Sequence, residues 1–379
     1  MNQKKIKVLE VLNLAGWGGA PQVVYDLVNG LDKSRFEIHI VCGQDNDVGL
    51  MKTLEEQRIK IIILPELKRK PAPISDLRAL LKLFRLIKKE KYHVVHGHSS
   101  KAGFLARWAA KLAGVKKIYF TVHGWAFENT KEFGRIRPLL IFLERLAGLI
   151  TTKIICISKY VKGVGLERKI AKPNKFVLIY NGVKQPTALN KKEAKNLLGL
   201  GDKDFIFGMI SRLSYPKEPL LFLEAVKLST QKYNQVKFLL VGSGHYYQSC
   251  LEYIKTHRLE KNILLLGSRS PSELSKIIPA FDVGVLITSS EGLGLSLIQI
   301  ISYGIPIIGS NVGGIPEIIQ DGINGYLVSN QPQDILDKME KLLKNPSLLR
   351  DMGLKAKAIA LEKFNLDKTV EAYTQLYLE

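Results

Sequence analysis

A glutamate in a glycine-rich turn, Glu291, is the residue of this chain whose setting most clearly suggests chemistry. Gly292, Leu293 and Gly294 follow it, and an apolar helical pattern continues from Leu293. An apolar run precedes the turn, so the segment is predicted to form a strand, a turn and a helix. The N–H groups of a helix start suit a phosphate oxygen, and glycines leave the backbone open to it. Glu291 would repel that anion and is better suited to a sugar hydroxyl; alternatively, it only favours the helix dipole and the glycines only permit the turn.

A second loop offers two cations. Arg212 and Lys217 lie five residues apart, after the strand predicted at residues 205–210. A guanidinium and an ammonium group on one loop could neutralise a diphosphate without a metal ion, and surface solvation is the alternative. Gly242 follows the next predicted strand, where a bare backbone would admit a nucleoside. These residues predict a site for a phosphorylated ligand in the second half of the chain.

Further candidates follow the strands of the first half. Gly18 and Gly19 would let a ligand approach the backbone closely, with a plain tight turn as the alternative; the spacing is not GxGxxG, so no dinucleotide is expected. His123 ends another predicted strand and would hydrogen-bond a sugar, with a buried structural role as the alternative. His96 and His98 suggest a metal site together with His123. Because the sequence shows no carboxylate or cysteine nearby to complete such a site, no metal ligands are predicted.

These residues follow strands because short apolar runs alternate with amphipathic patterns along almost the whole chain. The alternation predicts parallel sheets with helices on both faces. Since 379 residues exceed the usual size of one core, we predict two doubly wound, Rossmann-like α/β domains that face each other across a cleft. Ligands of such sheets bind outside the carboxyl ends of the strands. The predicted strands are residues 6–12, 37–41, 60–64, 93–96, 118–122, 154–157, 177–179, 205–210, 237–241, 263–266, 283–287, 305–308 and 326–328.

Changes in composition predict the domain boundaries. Residues 1–182 are predicted as the N-terminal domain. The polar, turn-rich residues 183–202 are predicted as a linker, and residues 203–362 as the C-terminal domain. Residues 363–379 are predicted as a helix that packs back toward the N-terminal domain.

The net charge of +21 is concentrated in the first half. Residues 1–184 contain 34 Lys and Arg against 15 Asp and Glu, whereas the remainder contains 22 against 20. Two predicted helical runs, residues 77–91 and 131–145, are rich in these cations and could lie on anionic lipid. A solvated face is the alternative for each run. Nucleic acid is not an expected partner, because no known binding motif or aromatic-interleaved basic stretch is present.

The sequence predicts neither a membrane-spanning segment nor a disulfide framework. The most apolar segment, residues 139–150, is interrupted by Glu144 and Arg145 and is shorter than the about 20 residues needed to span a bilayer. The three cysteines at positions 42, 156 and 250 lie far apart. We therefore expect a reducing, cytoplasmic location.

Taken in this order, the segments resemble the retaining glycosyltransferases of family 4, which have the two-domain GT-B fold. The resemblance extends over essentially the whole chain. Its most specific parts lie in the second half: the loop with Arg212 and Lys217, and residues 241–244, 291–295 and 313–318. Residues 98–103 and 121–124 are similar to the branch that makes capsular polysaccharides and exopolysaccharides.

The resemblance implies a role for each candidate residue. Glu291 and His123 would contact the donor sugar and are the expected catalytic residues. The donor diphosphate would be held by the two loop cations and by helix-start amides. The expected donor-binding residues are Gly18, Gly19, Arg212, Lys217, Gly242, Gly292, Gly294, Leu295 and Gln299.

The implied reaction moves a sugar from a nucleotide-sugar, expected to be a UDP-sugar, to a lipid-linked saccharide in surface polysaccharide biosynthesis. Front-face attack would retain the configuration, with the leaving phosphate accepting the acceptor proton, so neither a nucleophile nor a metal or other cofactor is expected. The first domain would handle the acceptor. Its basic surface would hold the enzyme on anionic lipid at the inner face of the plasma membrane.

Two positions depart from the family pattern. Gln299 stands where the family usually has a second glutamate that binds the donor ribose, and a neutral partner forfeits about 1 kcal/mol. Glu218 stands where a glycine commonly follows the loop lysine, and it brings negative charge near the diphosphate site. These departures motivate an alternative, a degenerate homologue that binds nucleotide-sugars or activates a partner without catalysis. A nucleotide-sugar epimerase on a similar fold is a third hypothesis, which the second-half motifs disfavour.

Overall fold

The computed structural model describes residues 5–13, 16–44, 49–68, 71–187, 189–233 and 235–379. The chain forms two compact α/β units, one of Met1–Asn181 with Leu366–Glu379 and the other of Gly182–Asn365. All thirteen predicted strands are present, with ends within two residues of the prediction. The predicted fold class, two doubly wound parallel-sheet domains, is confirmed.

The first unit is built on a seven-stranded parallel sheet in the order β3-β2-β1-β4-β5-β6-β7. Its strands are β1 (Ile6–Leu12), β2 (Phe36–Cys42), β3 (Lys60–Ile63), β4 (Val94–His98), β5 (Lys117–Val122), β6 (Lys153–Cys156) and β7 (Phe176–Leu178). Its helices are α1 (Gly19–Gly30), α2 (Gly49–Glu56), α3 (Pro73–Glu90), α4 (Ser100–Leu112), α5 (Thr130–Phe133), α6 (Arg137–Ile150), α7 (Lys159–Glu167) and the C-terminal α15 (Leu366–Leu378). The strand order reverses between β1 and β4, which is where ligands of such sheets bind.

Two apolar clusters cover the opposite faces of this sheet. Along β1, Val8 joins the cluster with α1, α2 and α15, whereas Leu9 joins the cluster with α3 and α4. Successive side chains of a strand point to opposite faces, so a strand buried on both faces is apolar throughout. The C-terminal helix is part of this unit: Tyr373 and Tyr377 are fully buried, and Tyr119 donates a hydrogen bond to the Leu376 carbonyl over 2.8 Å.

The second unit contains a six-stranded parallel sheet in the order β10-β9-β8-β11-β12-β13. Its strands are β8 (Phe205–Ile210), β9 (Val236–Val241), β10 (Ile263–Gly267), β11 (Val283–Leu286), β12 (Ile307–Ser310) and β13 (Gly325–Val328). Its helices are α8 (Lys191–Leu197), α9 (Pro219–Thr230), α10 (Tyr247–Thr256), α11 (Pro271–Ile277), α12 (Leu295–Ser302), α13 (Pro332–Leu343) and α14 (Pro346–Lys363). Here the strand order reverses between β8 and β11.

Residues 183–202, predicted as a linker, belong to the second unit and contain α8; residue 188 lies outside the described residues. Ala194 on this helix is fully buried. Lys195 donates to the carbonyls of Asp202 and Asp204 over 3.0 and 2.7 Å, and Lys191 pairs with Asp282 at 2.5 Å. The polar residues that suggested a linker therefore tie this segment to the second unit.

Within the described residues, no helix combines the length and the apolar character needed to cross a membrane. The apolar residues of α6 surround Glu144, which is buried and accepts a hydrogen bond from the Arg107 Nη2 atom over 2.7 Å. The neighbouring Arg145 is exposed. The two charges that interrupt this apolar segment thus serve different purposes, one in the core and one on the surface.

Candidate functional site

Four loops meet at the carboxyl edge of the second sheet. They follow β9, β8, β11 and β12, which are neighbours in the strand order. Lys217 forms a backbone bridge with Thr288, and the Glu218 N–H donates to the Ile287 carbonyl over 3.0 Å. The loops after β8 and β11 are therefore fixed to each other on either side of the strand-order reversal.

Lys217 and Glu291 form an ion pair across these two loops. Both side chains are largely buried, with 16 % and 18 % of their surface exposed. The second carboxylate oxygen of Glu291 accepts a hydrogen bond from the Gly292 N–H over 3.0 Å. Sequence analysis placed a cation and a carboxylate in one site, and the structure brings them into direct contact although 74 positions separate them.

Two glycines let the neighbouring loops approach this pair. A Cβ atom at Gly313 would lie 1.9 Å from the Glu291 carbonyl oxygen, and the φ of Gly313 is +57°. A Cβ atom at Gly242, where φ is +140°, would lie 1.9 Å from the carbonyl oxygen of Ser211. Both contacts are with backbone atoms, so a side chain at either position would displace a loop. Gly242 thus brings the loop after β9 against the loop that carries the cations.

The helix start after Glu291 points its N-terminal end into the same region of the second unit. Gly294 is the N-cap residue of α12, with a φ of +102°, and no described side chain caps this helix. Leu295 opens the helix, whose first N–H groups lack partners within it. Gln299 lies one turn further along α12 and is partly buried, and Arg212 is exposed at the beginning of the cation loop. The second unit thus brings the predicted donor-binding residues of this half onto one edge.

The first unit holds a buried polar cluster at its own strand-order reversal. Glu10 on β1 lies in register with His96 on β4, and His98 follows two residues later on the same face. All three side chains are fully buried. One Glu10 carboxylate oxygen lies 2.8 Å from His98 Nε2 and 3.2 Å from His96 Nδ1, and the other accepts a hydrogen bond from the Tyr377 hydroxyl over 2.8 Å.

His123, directly after β5, extends this cluster toward the surface. Its Nε2 atom lies 3.1 Å from His98 Nδ1, the two rings stack, and its side chain is partly exposed. Burial, followed by the charges of His98 and His96, holds the pKa of His123 well below its usual range. His123 is therefore a neutral imidazole at pH 7. In the same cluster, burial lowers the pKa of His98 to about 4.

The carboxylate of this cluster was missed by the sequence analysis. The expectation that no carboxylate accompanies His96 and His98 is wrong, because Glu10 lies within hydrogen-bonding distance of both. The ligand atoms of these three residues lie within 4.8 Å of one another, a separation compatible with metal binding. Each of these atoms, however, already has a hydrogen-bond partner in the cluster. A charge inside the buried part of the strand IKVLEVL, whose other residues there are apolar, was the available signal.

Gly18 lies between β1 and α1, and Gly19 is the first residue of α1. Gly18 has an extended φ of 171° and Gly19 begins the helix, so neither adopts a left-handed conformation that would require a glycine. A Cβ atom at Gly19 would meet no described atom within 4 Å. Packing against the described residues therefore does not require a glycine at position 19.

Comparison with known proteins places this architecture in a family. The model of Glycosyltransferase Family 4 matches residues 17–185, and that of Glycosyl transferases group 1 matches residues 190–359. An Escherichia coli protein, UDP-Gal:alpha-D-GlcNAc-diphosphoundecaprenol alpha-1,3-galactosyltransferase, is 32% identical over 99% of this chain and 97% of its own length. The Staphylococcus aureus capsular polysaccharide biosynthesis glycosyltransferase CapM is 28% identical over 92% of this chain and 91% of its own length.

Solved structures show the same fold. The Anabaena protein HepE in complex with UDP and glucose has a TM-score of 0.83 at 19% identity, covering 98% of both chains. Sucrose-phosphate synthase from Thermosynechococcus elongatus has a TM-score of 0.84 at 17% identity, covering 99% of this chain and 98% of that one. With both family models matched and a full-length relative above 30% identity, the chain belongs to glycosyltransferase family 4 and has the GT-B fold.

Proposed function

We propose that this glycosyltransferase moves a sugar from a UDP-sugar to a lipid-linked saccharide in surface polysaccharide biosynthesis, with retention of configuration and without a metal ion. The observation that carries the proposal is the meeting of Lys217, Glu291 and the start of α12 where the second sheet reverses its strand order. The E. coli relative is named for UDP-Gal and GlcNAc-diphosphoundecaprenol. UDP-galactose and this lipid-linked GlcNAc are therefore the first substrates to test.

The proposed reaction places developing negative charge on the departing nucleotide. The bond between the sugar C1 and the β-phosphate oxygen breaks, and the acceptor oxygen bonds to C1 on the same face. The acceptor proton passes to the departing phosphate oxygen. Lys217, Arg212 and the positive end of α12 would stabilise that charge as it forms, which lowers the barrier more than it strengthens ground-state binding.

Glu291 would hold the donor sugar. Its carboxylate is oriented from two sides, by the Lys217 ammonium and by the Gly292 N–H. An ionised acceptor held in place makes a stronger hydrogen bond to a sugar hydroxyl than a neutral one. The family resemblance assigns a second contact with the sugar to His123.

The donor site is tested by titrating the protein with UDP, and with GDP for comparison, by calorimetry in the presence of a chelator. We expect UDP to bind and GDP to bind more weakly, and Lys217→Ala to weaken UDP binding at least tenfold. Lys232→Ala is the matched control, because Lys232 pairs with Glu340 elsewhere in the same unit. Failure of both nucleotides to bind would remove the donor site from the proposal.

Transfer is tested with UDP-galactose and α-GlcNAc-diphosphoundecaprenol, and the product anomer is determined by NMR. An α-linked galactose is expected, at an unchanged rate with chelator present. A β-linked product would contradict retention, and loss of transfer on chelation would contradict metal independence. His123→Ala should reduce transfer much more than UDP affinity, whereas equal losses would indicate that His123 has a structural role.

A non-catalytic role is the second candidate, since Gln299 and Glu218 depart from the family pattern. Gln299 is partly buried on α12, and the backbone of Glu218 caps the start of α9. The double substitution Gln299→Glu with Glu218→Gly restores the family residues. Turnover that appears only in the restored protein would favour a nucleotide-sugar sensor or partner activator over an enzyme.

We also propose that the first unit binds anionic lipid at the inner face of the plasma membrane, from a cytoplasmic location. Helix α4 packs against both α3 and α6, so the three helices form one layer. Their exposed faces carry apolar side chains that a solvated surface does not require: Ile74, Leu77, Leu81, Leu112, Leu139, Phe142 and Leu149. Exposed cations accompany them, namely Arg78, Lys82, Arg85, Arg135 and Arg145. This combination is typical of helices that lie in a membrane interface.

Flotation with vesicles tests this surface. Binding to vesicles with anionic lipid is expected, with release as salt rises, and binding to neutral vesicles should be weak. The double substitution Leu139→Ser with Phe142→Ser should abolish it. Leu354→Ser, an exposed leucine of the second unit, is the control. Vesicle binding that changes neither with salt nor with the double substitution would contradict the proposed surface.

A further inference from the structure

The buried cluster of the first unit connects β1 to His123 through an ordered chain of hydrogen bonds. Glu10 meets His98 Nε2 at 2.8 Å, and His98 Nδ1 meets His123 Nε2 at 3.1 Å. Glu10 and His98 are fully buried, so water does not compete for these contacts. Neither Glu10 nor His98 has a role in the proposed reaction.

The chemistry of each group fixes the direction of every bond in this chain. A carboxylate can only accept hydrogen bonds, so His98 must donate through Nε2–H. A neutral His98 then carries its lone pair on Nδ1 and must accept from His123 Nε2–H. A neutral His123 is left with its lone pair on Nδ1, the nitrogen with no hydrogen-bond partner among the described residues.

The protonation states agree with this assignment. Burial alone would raise the pKa of the Glu10 carboxyl, but the charges and hydrogen bonds of His96 and His98 hold it below its usual range. Burial lowers the pKa of His98 to about 4 and also lowers that of His123. At pH 7 the chain therefore consists of one carboxylate and two neutral imidazoles.

In the remaining hydrogen bonds of the cluster, too, each donor meets an acceptor. Tyr377 donates to Glu10 and accepts from His96 Nδ1 at 2.6 Å, while His96 Nε2 lies 2.7 Å from the Thr121 hydroxyl. Thr121 can donate to His96 because its oxygen accepts from Tyr373 at 3.0 Å. Donors and acceptors match throughout, and the C-terminal helix anchors the far end of the network.

We infer that Glu10 and His98 are positioning residues that hold His123 as the Nε2–H tautomer, so that its bare Nδ1 accepts a hydrogen bond from a hydroxyl of the donor sugar. This inference rests on the proposed function for the identity of the ligand. It explains why a charge is buried in β1. The bare Nδ1 of His123 can only accept a hydrogen bond. The ligand group that it contacts must therefore be a donor, such as a hydroxyl.

The tautomer can be read directly by long-range ¹H–¹⁵N NMR of the full-length protein labelled with ¹⁵N-histidine. The His123 signals are assigned with His123→Asn. We expect a protonated Nε2 and an unprotonated Nδ1 at pH 7. A protonated Nδ1, or an imidazolium, would overturn the inference; the measurement on the unaltered protein requires no turnover, and the variant His123→Asn is needed only to assign the signals.

A metal ion on Glu10, His96 and His98 would give the opposite result. A ligated His98 Nε2 leaves the proton on Nδ1, which would donate to His123 Nε2 and place the His123 proton on Nδ1. Chelation would then shift these signals. Detection of that pattern would contradict the inference and establish a metal site instead.

The variant Glu10→Gln tests the role of the carboxylate, because an amide offers both a donor and an acceptor to His98. We expect mixed His123 tautomers and a loss in kcat/KM for transfer of about tenfold, with UDP affinity unchanged. His39→Gln, which removes a buried histidine bonded to Tyr92 on the same sheet, should leave both readouts unchanged. An unaltered His123 tautomer in Glu10→Gln would refute the role of Glu10. If the tautomer is as inferred but UDP does not bind, the proposed function fails and the positioning does not.

Discussion

Replacing His98 with glutamine should cost the first unit much more stability at pH 7 than at pH 5. His98 lies between Glu10 and His96 on one side and His123 on the other. Burial first, and then the charge of His96, lower its pKa to about 4, against 6.5 in the unfolded chain. The folded state therefore keeps this imidazole neutral over a range in which the unfolded state takes up a proton.

The sign and the magnitude follow from these two pKa values. A lowered pKa of a basic group contributes stability that is fully present above 6.5 and is lost as the pH falls toward the folded value. The free energy that neutral His98 contributes to folding falls by about 2 kcal/mol between pH 7 and pH 5. Glutamine does not titrate, so the destabilisation caused by His98→Gln should be about 2 kcal/mol smaller at pH 5.

Tryptophan fluorescence isolates the first unit for this measurement. All three tryptophans, Trp17, Trp108 and Trp125, lie in it. Urea titrations of both proteins at pH 7 and pH 5 give four free energies of unfolding by linear extrapolation. Asp26, whose pKa burial raises to about 6, acts in the opposite direction but is present in both proteins and cancels. An equal cost of the substitution at both pH values would refute the assigned protonation of His98.

Three further substitutions probe both units. Lys217→Ala should abolish most donor use, measured as UDP release, while leaving the circular dichroism spectrum unchanged; near-normal turnover would remove Lys217 from the site. Gly313→Ala should weaken UDP binding in calorimetry, because its Cβ would displace the Glu291 carbonyl; unchanged affinity would show that this approach is not required. Glu144→Ala should destabilise the first unit by about 3–5 kcal/mol in urea, because Arg107 would remain buried without its partner, and a cost below 1 kcal/mol would contradict this pairing.

The strands could be predicted from the sequence because each is a short apolar run that is buried on both faces. Both ends of β12 differ from the prediction: residues 305–308 are predicted, whereas the strand begins at Ile307. Pro306 has no N–H and cannot donate to the ladder, although its carbonyl accepts from Gly284 over 2.9 Å. The polar residues of helix α8 suggest a linker, but Lys195 bonds to carbonyls seven and nine positions away and Lys191 pairs with Asp282, 91 positions along the chain. Composition alone does not reveal such partners.

The candidate site, too, could be predicted only in part from the sequence. Residues at strand ends, such as Lys217 and Glu291, could be singled out from type and position, but their pairing depends on β8 and β11 being neighbours. Glu10 was missed because its partners come from β4 and from the C-terminal helix. The signal in the sequence was Glu10 itself. It is a charge in the buried part of β1, whereas the other charged residue of this strand, Lys7, lies near its partly exposed start.

A charge buried in a sheet requires an explanation because an apolar core is the less costly solution. Burying Glu10 and His98 removes them from water, a desolvation cost that valine at the same positions would not incur. Each hydrogen bond that is missing from such a buried network costs about 1–3 kcal/mol. Stability alone would therefore favour apolar residues at these positions. The network also ends at the partly exposed His123, and it lies where the strand order reverses and such sheets bind ligands. Its position and its cost together argue that it serves the orientation of His123 rather than the stability of the fold.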